Sequence, residues 1–299
     1  MELRQLQYTI QIGLENNFSR AAEKLHVAQP SLSQQIAKLE KELGVKLFNR
    51  NTNAVELTHA GTVFVEKAHK VMDLIEQMKN EMEDISQTRK GKLIIGSLPI
   101  TGSHILPRVL PIFQQNYPGI EIVLIEESST NLEILTSQGQ TDISLLSLPM
   151  QESSLTYYPV IDEEIILTVP PKHHLNLKHH GQKREIDIKD LKDEPFVILK
   201  KGQGFRQITI DLCEQAGFTP NIVFESSNIE TIQSLVAAGM GIAFVPYMVT
   251  QTKWSHFTPI HFNLKHRPKR TLVIAHQKGR YLSKAAEAFI ETMMDEMKI

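Results

Sequence analysis

Residues 17–39 read NFSRAAEKLHVAQPSLSQQIAKL, two amphipathic stretches separated by a few residues, with Pro30 at the threshold of the second. One long helix broken by the proline would give this pattern, and so would two separate helices. Ala22 and Leu25 recur at helical spacing in the first stretch, and Ser19 is placed to cap it. Pro30 suits the first position of a second helix, where no N–H donor is needed. We therefore predict two helices joined by a tight turn.

The second stretch combines an apolar stripe with an unusual polar face. Leu32, Ile36, Leu39 and Leu43 form the stripe, and Gly44 is a typical helix-ending residue. The opposite face carries Pro30, Gln34, Ala37, Lys38 and Lys41, flanked by Ser31 and Ser33. Most polar helix faces are simply solvated. A solvated face is usually rich in Glu and Lys, whereas the start of this helix carries short, uncharged side chains. Short side chains with donors and acceptors instead favour close approach to a DNA major groove, which indicates a helix-turn-helix.

Length and composition narrow the class of protein. The chain has 299 residues, more than one core usually organises, so two or more domains are expected. Its 41% hydrophobic and 22% charged residues are typical of a globular protein. The net charge of −2 gives no overall attraction to nucleic acid, so DNA binding must depend on a local surface.

The cellular compartment is also suggested by the sequence. The N-terminus has no basic segment followed by an apolar one, and no apolar run reaches membrane-spanning length. The single cysteine, Cys213, excludes an intramolecular disulfide. A soluble protein of the reducing cytoplasm, without membrane partners, is the expectation.

A β-hairpin is predicted after the second helix. The segment VKLFNRNTNAVELT, residues 45–58, has two short apolar runs around a polar tip at Asn49–Asn53. Such a wing would make Arg50 available to a phosphate or a minor groove. Arg50 could instead be an ordinary surface arginine.

The run AAEKLHVAQPSLSQQIAKLEKELGVKLFNRNTNAVELTHAG, residues 21–61, closely resembles the N-terminal signature of LysR-type transcriptional regulators. A looser resemblance extends through LPRVLPIFQQNYPGIEI, GQTDISLL and LVAAGMGIAFVP, so it covers essentially the whole chain. The resemblance implies an N-terminal winged helix-turn-helix, a long linker helix, and a C-terminal α/β two-lobed clamshell resembling type 2 periplasmic binding proteins. The implied function is sequence-specific transcriptional regulation controlled by a small-molecule effector, not enzymatic catalysis.

The resemblance also implies domain bounds and DNA contacts. The DNA-binding domain would span residues 1–58, the linker helix 59–88 and the effector domain 89–299, with lobe I at about 92–161 and 266–299 and lobe II at about 162–265. Carried over, the residues at or near the major groove are Gln29, Pro30, Ser31, Ser33, Gln34 and Lys38. Ser19 and Arg20 would support phosphate contacts, and the wing would use Arg50, Thr52 and Asn53.

The linker segment carries a heptad pattern with apolar steps of four and three. Its positions are Phe64, Ala68, Val71, Ile75, Met78, Met82 and Ile85. A helix packed on its own domain usually shows a wider apolar face, so we expect a dimer seam. The resemblance implies the same pairing, together with a tetramer built as a dimer of dimers and contact with RNA polymerase at the promoter. Paired recognition helices predict an imperfect palindrome as the DNA target. Residues 86–92 are interpreted as a hinge.

The remainder of the chain alternates short apolar runs with helical patterns, which predicts an α/β fold with largely parallel strands. It also contains a repeat, because PGIEIVLIEESSTNLEILTSQGQTDISLLSLP at 118–149 is matched by PNIVFESSNIETIQSLVAAGMGIAFVP at 220–246. Each copy has a proline, a strand, Glu-Ser-Ser, a helix, a glycine and a second strand. Two similar lobes with a ligand cleft at the strand carboxyl ends are therefore expected.

Polar residues lie where strands give way to helices in both lobes, as in ESS at 127–129 and 225–227 and in KKGQGFRQ at 200–207. Helix N-termini favour anions, so an anionic metabolite would suit them, although a serine there is more often an N-cap. The resemblance places the effector in the cleft, and the resulting candidates are Ser97, Thr101, Gly102, Ser103, Ser128, Ser147, Gly202, Gln203, Arg206 and Asn228. Some aromatic-acid-sensing members have an arginine where this chain has Ser147, and that arginine binds a carboxylate of the effector. In this chain Arg206 or Lys201 could bind the carboxylate instead.

Other features carry weaker alternatives. KHHLNLKHHG at 172–181 could bind a metal, but it lacks acidic or cysteine partners, so a solvated loop is expected and no metal or cofactor is assigned. Cys213 suits a small core residue better than a redox switch. A solute-binding protein is the main rival class, and the preceding helix-turn-helix argues against it. An enzyme is the third alternative, but no catalytic constellation can be picked out.

Overall fold

The structure is a computed structural model that describes residues 1–51, 54–85, 91–178, 185–251 and 258–297. The chain divides into two compact units, one formed by residues 1–88 with 138–140 and the other by residues 89–137 and 141–299. Within the described ranges, no helix combines the length and apolar character needed to cross a membrane.

The first unit contains the two predicted helices and the hairpin. Its elements are α1 Leu3–Glu15, α2 Phe18–Lys24, α3 Gln29–Leu43, β1 Phe48–Asn51, β2 Ala54–Leu57 and α4 His59–Ile85. Helix α2 begins one residue before Ser19, and the side chain of Asn17 accepts hydrogen bonds from the backbone N–H groups of Ser19 and Arg20 at 2.8 and 3.0 Å. The prediction that Ser19 caps this helix is therefore wrong, because Ser19 already lies inside its first turn.

Helix α3 buries most of the predicted stripe. Leu32, Ile36 and Leu39 are fully buried, whereas Leu43 is 38% exposed because it lies in the last turn, next to the chain reversal. Gly44 ends the helix with φ +70°, a conformation that favours glycine. Pro30 lies in the first turn, one position later than predicted. The two-helix alternative is thus confirmed over the broken helix.

A buried carboxylate fixes the hairpin to the end of α3. Glu40 accepts hydrogen bonds from the backbone N–H groups of Leu47 at 2.9 Å and Phe48 at 3.3 Å, and Lys46 Nζ lies 3.0 Å away. Strands β1 and β2 are antiparallel, with Phe48 opposite Leu57. The hairpin therefore keeps a fixed position relative to α3.

The second unit is an α/β assembly. Its elements in chain order are β3 Gly91–Ser97, α5 Pro99–His104, α6 Leu106–Asn116, β4 Ile120–Glu126, α7 Ser129–Ser137, β5 Ile143–Ser147, β6 Leu155–Val169, α8 His174–Lys178, β7 Glu185–Ile186, β8 Pro195–Leu199, α9 Gly204–Gln215, β9 Asn221–Ser226, α10 Ile229–Ala237, β10 Ala243–Pro246, β11 Ile260–Leu264, β12 Lys269–Gln277 and α11 Lys284–Met297. Short 3₁₀ helices span Ile188–Leu191 and Tyr247–Gln251. The repeated sequence segments form the same succession, strand, helix and strand, in β4-α7-β5 and β9-α10-β10.

Two long strands join two lobes. Strand β3 is parallel to β4 and β5, and β8 is parallel to β9. Strand β6 pairs antiparallel with β12 over its first part and with β10 and β11 over its second part. The prediction of largely parallel strands therefore holds for β3 with β4 and β5 and for β8 with β9. It fails where β6 pairs antiparallel with β10, β11 and β12, and where β12 pairs antiparallel with β5.

Each lobe has its own hydrophobic core. In lobe I the strands β3 and β5 pack against helices α6 and α11, with Phe113 and Phe289 in edge-to-face contact at 5.3 Å. In lobe II Phe196 and Phe244 occupy the centre, with ring centroids 5.6 Å apart. Two separate cores leave the space between the lobes available for a cleft.

Candidate nucleic-acid interface and effector cleft

The start of α3 presents a polar surface. Gln29, Pro30, Ser31, Gln34 and Lys38 are exposed, and Ser33 is half-buried. The next residue, Gln35, points the other way, since its Oε1 accepts a hydrogen bond from the buried Gln5 at 3.3 Å. The structure therefore brings the predicted major-groove side chains together on one face of a helix whose other face is fixed in a core.

The predicted phosphate contacts have a mixed placement. Ser19 and Arg20 are exposed, but Arg20 donates through Nη2 to the carbonyl oxygen of Glu15 at 2.7 Å. A hydrogen bond from Lys24, at 2.8 Å, lowers the pKa of Glu15, and Arg20 adds to this effect. The side chain of Arg50 and residues Thr52 and Asn53 lie outside the described part of the chain.

Helix α4 exposes much of its predicted seam. Val71, Met78 and Met82 are 42%, 59% and 58% exposed, and Leu74 at 58% joins them although it lies outside the heptad positions. Ile75 is half-buried, and the side chain of Ile85 lies outside the described residues. The first two seam positions behave differently, because Phe64 packs against the core of α1–α3 and Ala68 is buried.

A cleft of about 430 Å³ lies between the two lobes, beyond the carboxyl ends of β3, β4, β8, β9 and β10. Four of the predicted effector residues line it: Ser103, Ser128, Gln203 and Asn228. Pro99, Gly204 and Ser227 also line the cleft. Two acidic residues, Glu127 and Glu230, contribute to the lining as well. Both halves of the repeat contribute to it.

The other predicted effector residues do not line this cleft. Ser97 and Thr101 are buried in lobe I, where the Ser97 hydroxyl donates to the Leu98 carbonyl oxygen at 3.0 Å. Gly102 lies against Glu126. Gly202 and Arg206 line an adjoining cavity of about 360 Å³. Thr101 and Gly102 on α5 and Arg206 on α9 lie on parts of these helices that do not line the cleft, whereas Ser97 ends β3 and Gly202 precedes α9.

Arg206 cannot replace an arginine at position 147. Its Nη1 donates to the carbonyl oxygen of Leu199 at 2.6 Å and lies 2.7 Å from Glu225 Oε1. These two contacts hold the guanidinium at the carboxyl ends of β8 and β9. The expectation that Arg206 compensates is not supported by this geometry.

The arginine that lies beside Ser147 is instead Arg270 on β12, which is not among the predicted effector residues. It lines the cleft, is 3% exposed, and points Nη1 at the Ser147 hydroxyl at 3.4 Å. Its guanidinium lies 5.4 Å from the centre of the Phe205 ring. Burial lowers the pKa of Arg270, and the neighbouring carboxylate of Glu163 opposes that effect. The available sequence signal was an arginine at the start of the strand that continues into the apolar run at residues 272–275.

Direct hydrogen bonds connect the lobes beside the cleft. The Ser129 hydroxyl accepts from the backbone N–H of Gly204 at 2.8 Å. Thr130 donates to the carbonyl oxygen of Gly202 through both its N–H and its hydroxyl, each at 3.3 Å. A methyl group on Gly204 would meet Ser129 Oγ at 3.0 Å, so a glycine allows this close approach.

Comparison with protein families gives two matches. Residues 3–62 match the family described as bacterial regulatory helix-turn-helix protein, lysR family. Residues 86–298 match the family described as LysR substrate binding domain. Together the two matches cover nearly the whole chain.

Individual relatives agree with these matches. The HTH-type transcriptional regulator YcgK of Bacillus subtilis (strain 168) is 38% identical, over 100% of this chain and 95% of the relative. The DNA-binding transcriptional dual regulator OxyR of Escherichia coli (strain K12) is 29% identical, over 99% and 96%. The structure of a full-length OxyR variant from Pseudomonas aeruginosa superimposes with a TM-score of 0.75 at 28% identity, over 100% of this chain and 95% of that one.

Proposed function

Because this chain belongs to the LysR family of DNA-binding transcriptional regulators, we propose that α3 reads the major groove of its promoter DNA and that the interlobe cleft binds the controlling effector. The observation that supports the first part is the exposed face of α3, where Gln29, Ser31 and Gln34 project from a helix with a fully buried opposite stripe. Gln can make paired hydrogen bonds to an adenine edge.

Base contacts are proposed to carry more of the selectivity than bulk charge. The net charge of the chain is −2, and Arg20 and Lys24 both contact Glu15. A protein that neutralises few phosphates shows a shallow dependence of affinity on salt concentration. Sequence discrimination would then come from the α3 face, with the hairpin as a supporting contact.

The active assembly is proposed to be a homodimer, or a dimer of dimers, on an imperfect palindrome. The exposed apolar side chains of α4, Val71, Leu74, Met78 and Met82, are unusual for a surface that stays in water. Pairing two copies of α4 would cover them and would set two recognition helices at a fixed spacing. Contact with RNA polymerase at the promoter is proposed from the family relationship alone.

For the effector, the cleft favours a small polar metabolite. The buried guanidinium of Arg270 is paired with Glu163, and Glu127 and Glu230 contribute carboxylates to the lining. An anionic effector would therefore have to compete with Glu163 for Arg270. Neutral hydrogen-bonding groups find partners more readily, since Ser103, Ser128 and Gln203 all line the cleft.

A peroxide-sensing role by thiol chemistry is not proposed, although relatives are named hydrogen peroxide-inducible genes activators. The only cysteine of this chain, Cys213, is fully buried on α9. Burial raises the pKa of its thiol to about 12, and the nearby Glu214 adds to that shift. A protonated, inaccessible thiol is a poor nucleophile toward peroxide.

The DNA assignment is tested by footprinting the full chain and a variant that lacks residues 1–58 on the same promoter fragments. Loss of the footprint in the shortened protein is expected. A footprint that persists unchanged would refute the assignment.

The effector assignment is tested by a thermal-shift screen of small polar metabolites on the full-length protein. A bound effector raises the melting temperature, and the rise grows with the logarithm of effector concentration once that concentration exceeds Kd. Ser103→Ala should weaken this response, because Ser103 lines the cleft. Ser137→Ala is the matched control, since both hydroxyls donate to a carbonyl oxygen of their own helix at 2.8 Å. Equal responses in the two variants would place the effector elsewhere.

A further inference from the structure

Lobe II brings two adjacent histidines against a carboxylate that is distant in sequence. His173 and His174 follow the end of β6, whereas Glu194 lies immediately before β8, 21 residues after His173. The histidine-rich stretch at 172–181 contains no acidic residue of its own. The tertiary structure supplies one, so the reason for expecting a solvated loop does not hold for His173 and His174.

The three side chains converge on one small volume. His173 Nε2 lies 3.2 Å from Glu194 Oε2, and His174 Nε2 lies 3.5 Å from Glu194 Oε1. The ligand atoms of all three residues lie within 4.8 Å of one another. Bonds of about 2.1 Å to a tetrahedral Zn²⁺ place neighbouring ligand atoms roughly 3.4 Å apart. The observed separations between nitrogen and oxygen are therefore close to those of a loaded site.

The backbone holds both segments in place. The His173 N–H donates to the Pro170 carbonyl oxygen at 3.0 Å, and the Asn176 side chain donates to the Pro171 carbonyl oxygen at 3.0 Å. On the other side, the Glu194 N–H donates to the Leu191 carbonyl oxygen at 3.1 Å. Leu175 and Leu191 are buried in the lobe II core and anchor the two segments.

Exposure differs among the three side chains in a way that suits ion entry. The His173 and Glu194 side chains are only 11% and 17% exposed, whereas His174 is 52% exposed. Two ligands are thus fixed by packing, and the third lies at the solvent boundary. A metal ion could enter from that side and retain a water molecule as a further ligand.

We propose that His173, His174 and Glu194 form a binding site for a divalent transition-metal ion of the zinc type. Imidazole nitrogen and carboxylate oxygen are ligands of Zn²⁺, and two histidines with one glutamate leave a coordination position for water. Each imidazole must offer its Nε2 lone pair and carry its proton on Nδ1. For His173 this requires giving up a long contact of 3.4 Å from the Leu175 N–H to Nδ1.

The site links two segments of lobe II without entering the effector cleft. Glu194 lies just before the first residue of β8. The residue of β8 that lines the cleft is Leu199, at the other end of the strand. A bound ion would tie the segment after β6 to the start of β8. The expected consequence is greater stability of lobe II, with the cleft residues unchanged.

The test uses metal-free full-length protein titrated with Zn²⁺ by calorimetry and with Co²⁺ by visible absorption, which reports tetrahedral coordination. One ion per chain is expected at this site. His174→Gln and Glu194→Gln should each weaken binding at least about tenfold, because loss of even a supporting residue typically costs 10–100-fold in metal affinity. The matched control is the double variant His179→Gln/His180→Gln, which removes histidines of the same stretch.

Three outcomes would overturn the proposal: no stoichiometric binding, an unchanged affinity in both His174→Gln and Glu194→Gln, or a loss confined to the His179→Gln/His180→Gln control. Because Glu194→Gln could impair folding, circular dichroism of each variant accompanies the titrations. His174 is half-exposed, so its substitution keeps the test decisive even if the Glu194 variant fails to fold. A Zn²⁺-dependent rise in the melting temperature, present in the natural sequence and lost in His174→Gln, is the second supporting result.

Discussion

Arg270 and Glu163 form a buried ion pair at the junction of the two lobes. Nε and Nη2 of Arg270 lie 2.8 and 2.7 Å from Glu163 Oε2, and the side chains are 1% and 5% exposed. The other carboxylate oxygen accepts the Met248 N–H at 2.6 Å. The pair thus joins β12, β6 and the 3₁₀ helix that follows β10, at the point where the long strands pass between the lobes.

Removal of one partner of this ion pair should strongly lower the free energy of unfolding. Glu163→Gln would leave a buried guanidinium without its counter-charge, and the expected loss is about 3–5 kcal/mol in the free energy of unfolding. The double variant Glu163→Leu/Arg270→Met should lose less than Glu163→Gln, because it buries no unpaired charge. Urea denaturation of the second unit measures the free energy of unfolding of the single and the double variant. Glu164→Gln, whose partner Arg267 is exposed, is the control and should change stability by less than about 1 kcal/mol.

The hydrogen bonds from the hairpin to the Glu40 carboxylate should make the stability of the first unit depend on pH. Burial by itself raises the pKa of Glu40, but hydrogen bonds from Lys46 and from the backbone of Leu47 and Phe48 outweigh it, so the pKa is lowered. A carboxylate with a lowered pKa in the folded state stabilises above its unfolded value near 4.5, and this contribution is lost as the pH falls through the folded value.

Glu40→Gln should therefore destabilise the first unit at pH 7 by about 1–3 kcal/mol and weaken its pH dependence below pH 4.5. Thermal unfolding followed at several pH values measures both effects. Glu42→Gln, on the same helix but exposed, is the control. An identical acid response in Glu40→Gln and the natural sequence would contradict this role.

Two neighbouring glutamines on α3 should have separable effects. Gln34→Ala is expected to lower specific DNA affinity by about 1–3 kcal/mol with little change in melting temperature, because its side chain is exposed on the proposed groove face. Gln35→Ala should instead lower the melting temperature, because it removes the hydrogen bond from buried Gln5. Fluorescence anisotropy with specific and scrambled DNA separates the two effects. Equal losses on both DNAs for Gln34→Ala would exclude base readout.

Cys213 should be inert in the folded protein. Its thiol is buried with a pKa raised to about 12, so the thiolate is almost absent at pH 7–8. Iodoacetamide should label it only after denaturation, and treatment with hydrogen peroxide should leave DNA binding unchanged. Mass spectrometry of native and unfolded samples measures the modification. Rapid labelling of the native protein would show that the thiol is reachable.

The two copies of the repeat should differ in capping strength. Asn228 accepts from the backbone N–H groups of Glu230 and Thr231 at 2.7 and 3.1 Å, whereas Ser128 accepts from Asn131 at 3.4 Å only. Asn228→Ala should cost about 1 kcal/mol, and Asn228→Ser should recover much of that. Ser128→Ala should cost less than Asn228→Ala in the same urea denaturation experiment. A larger loss for Ser128→Ala would show that Asn228 has no dominant capping role.

Local patterns predicted much of the architecture. The spacing of Leu32, Ile36 and Leu39 predicted the buried face of α3, and the polar tip after Phe48 predicted the hairpin. These signals act over a few residues, because a helix repeats every 3.6 residues and a strand every two. The same short-range rules failed at Ser19, where the neighbouring Asn17 satisfied the free N–H groups first.

The sequence by itself determined the helix-turn-helix, the repeated lobes and the polar face of α3, since each depends on periodicity or on caps within a few residues. Only the tertiary structure decided which charges meet. Arg270 lies opposite Glu163 because β12 pairs antiparallel with β6 in that register, and Glu194 reaches His173 because a 3₁₀ helix brings the chain back before β8. Contacts between residues 21 and 107 positions apart follow from strand register and packing, which no local pattern encodes.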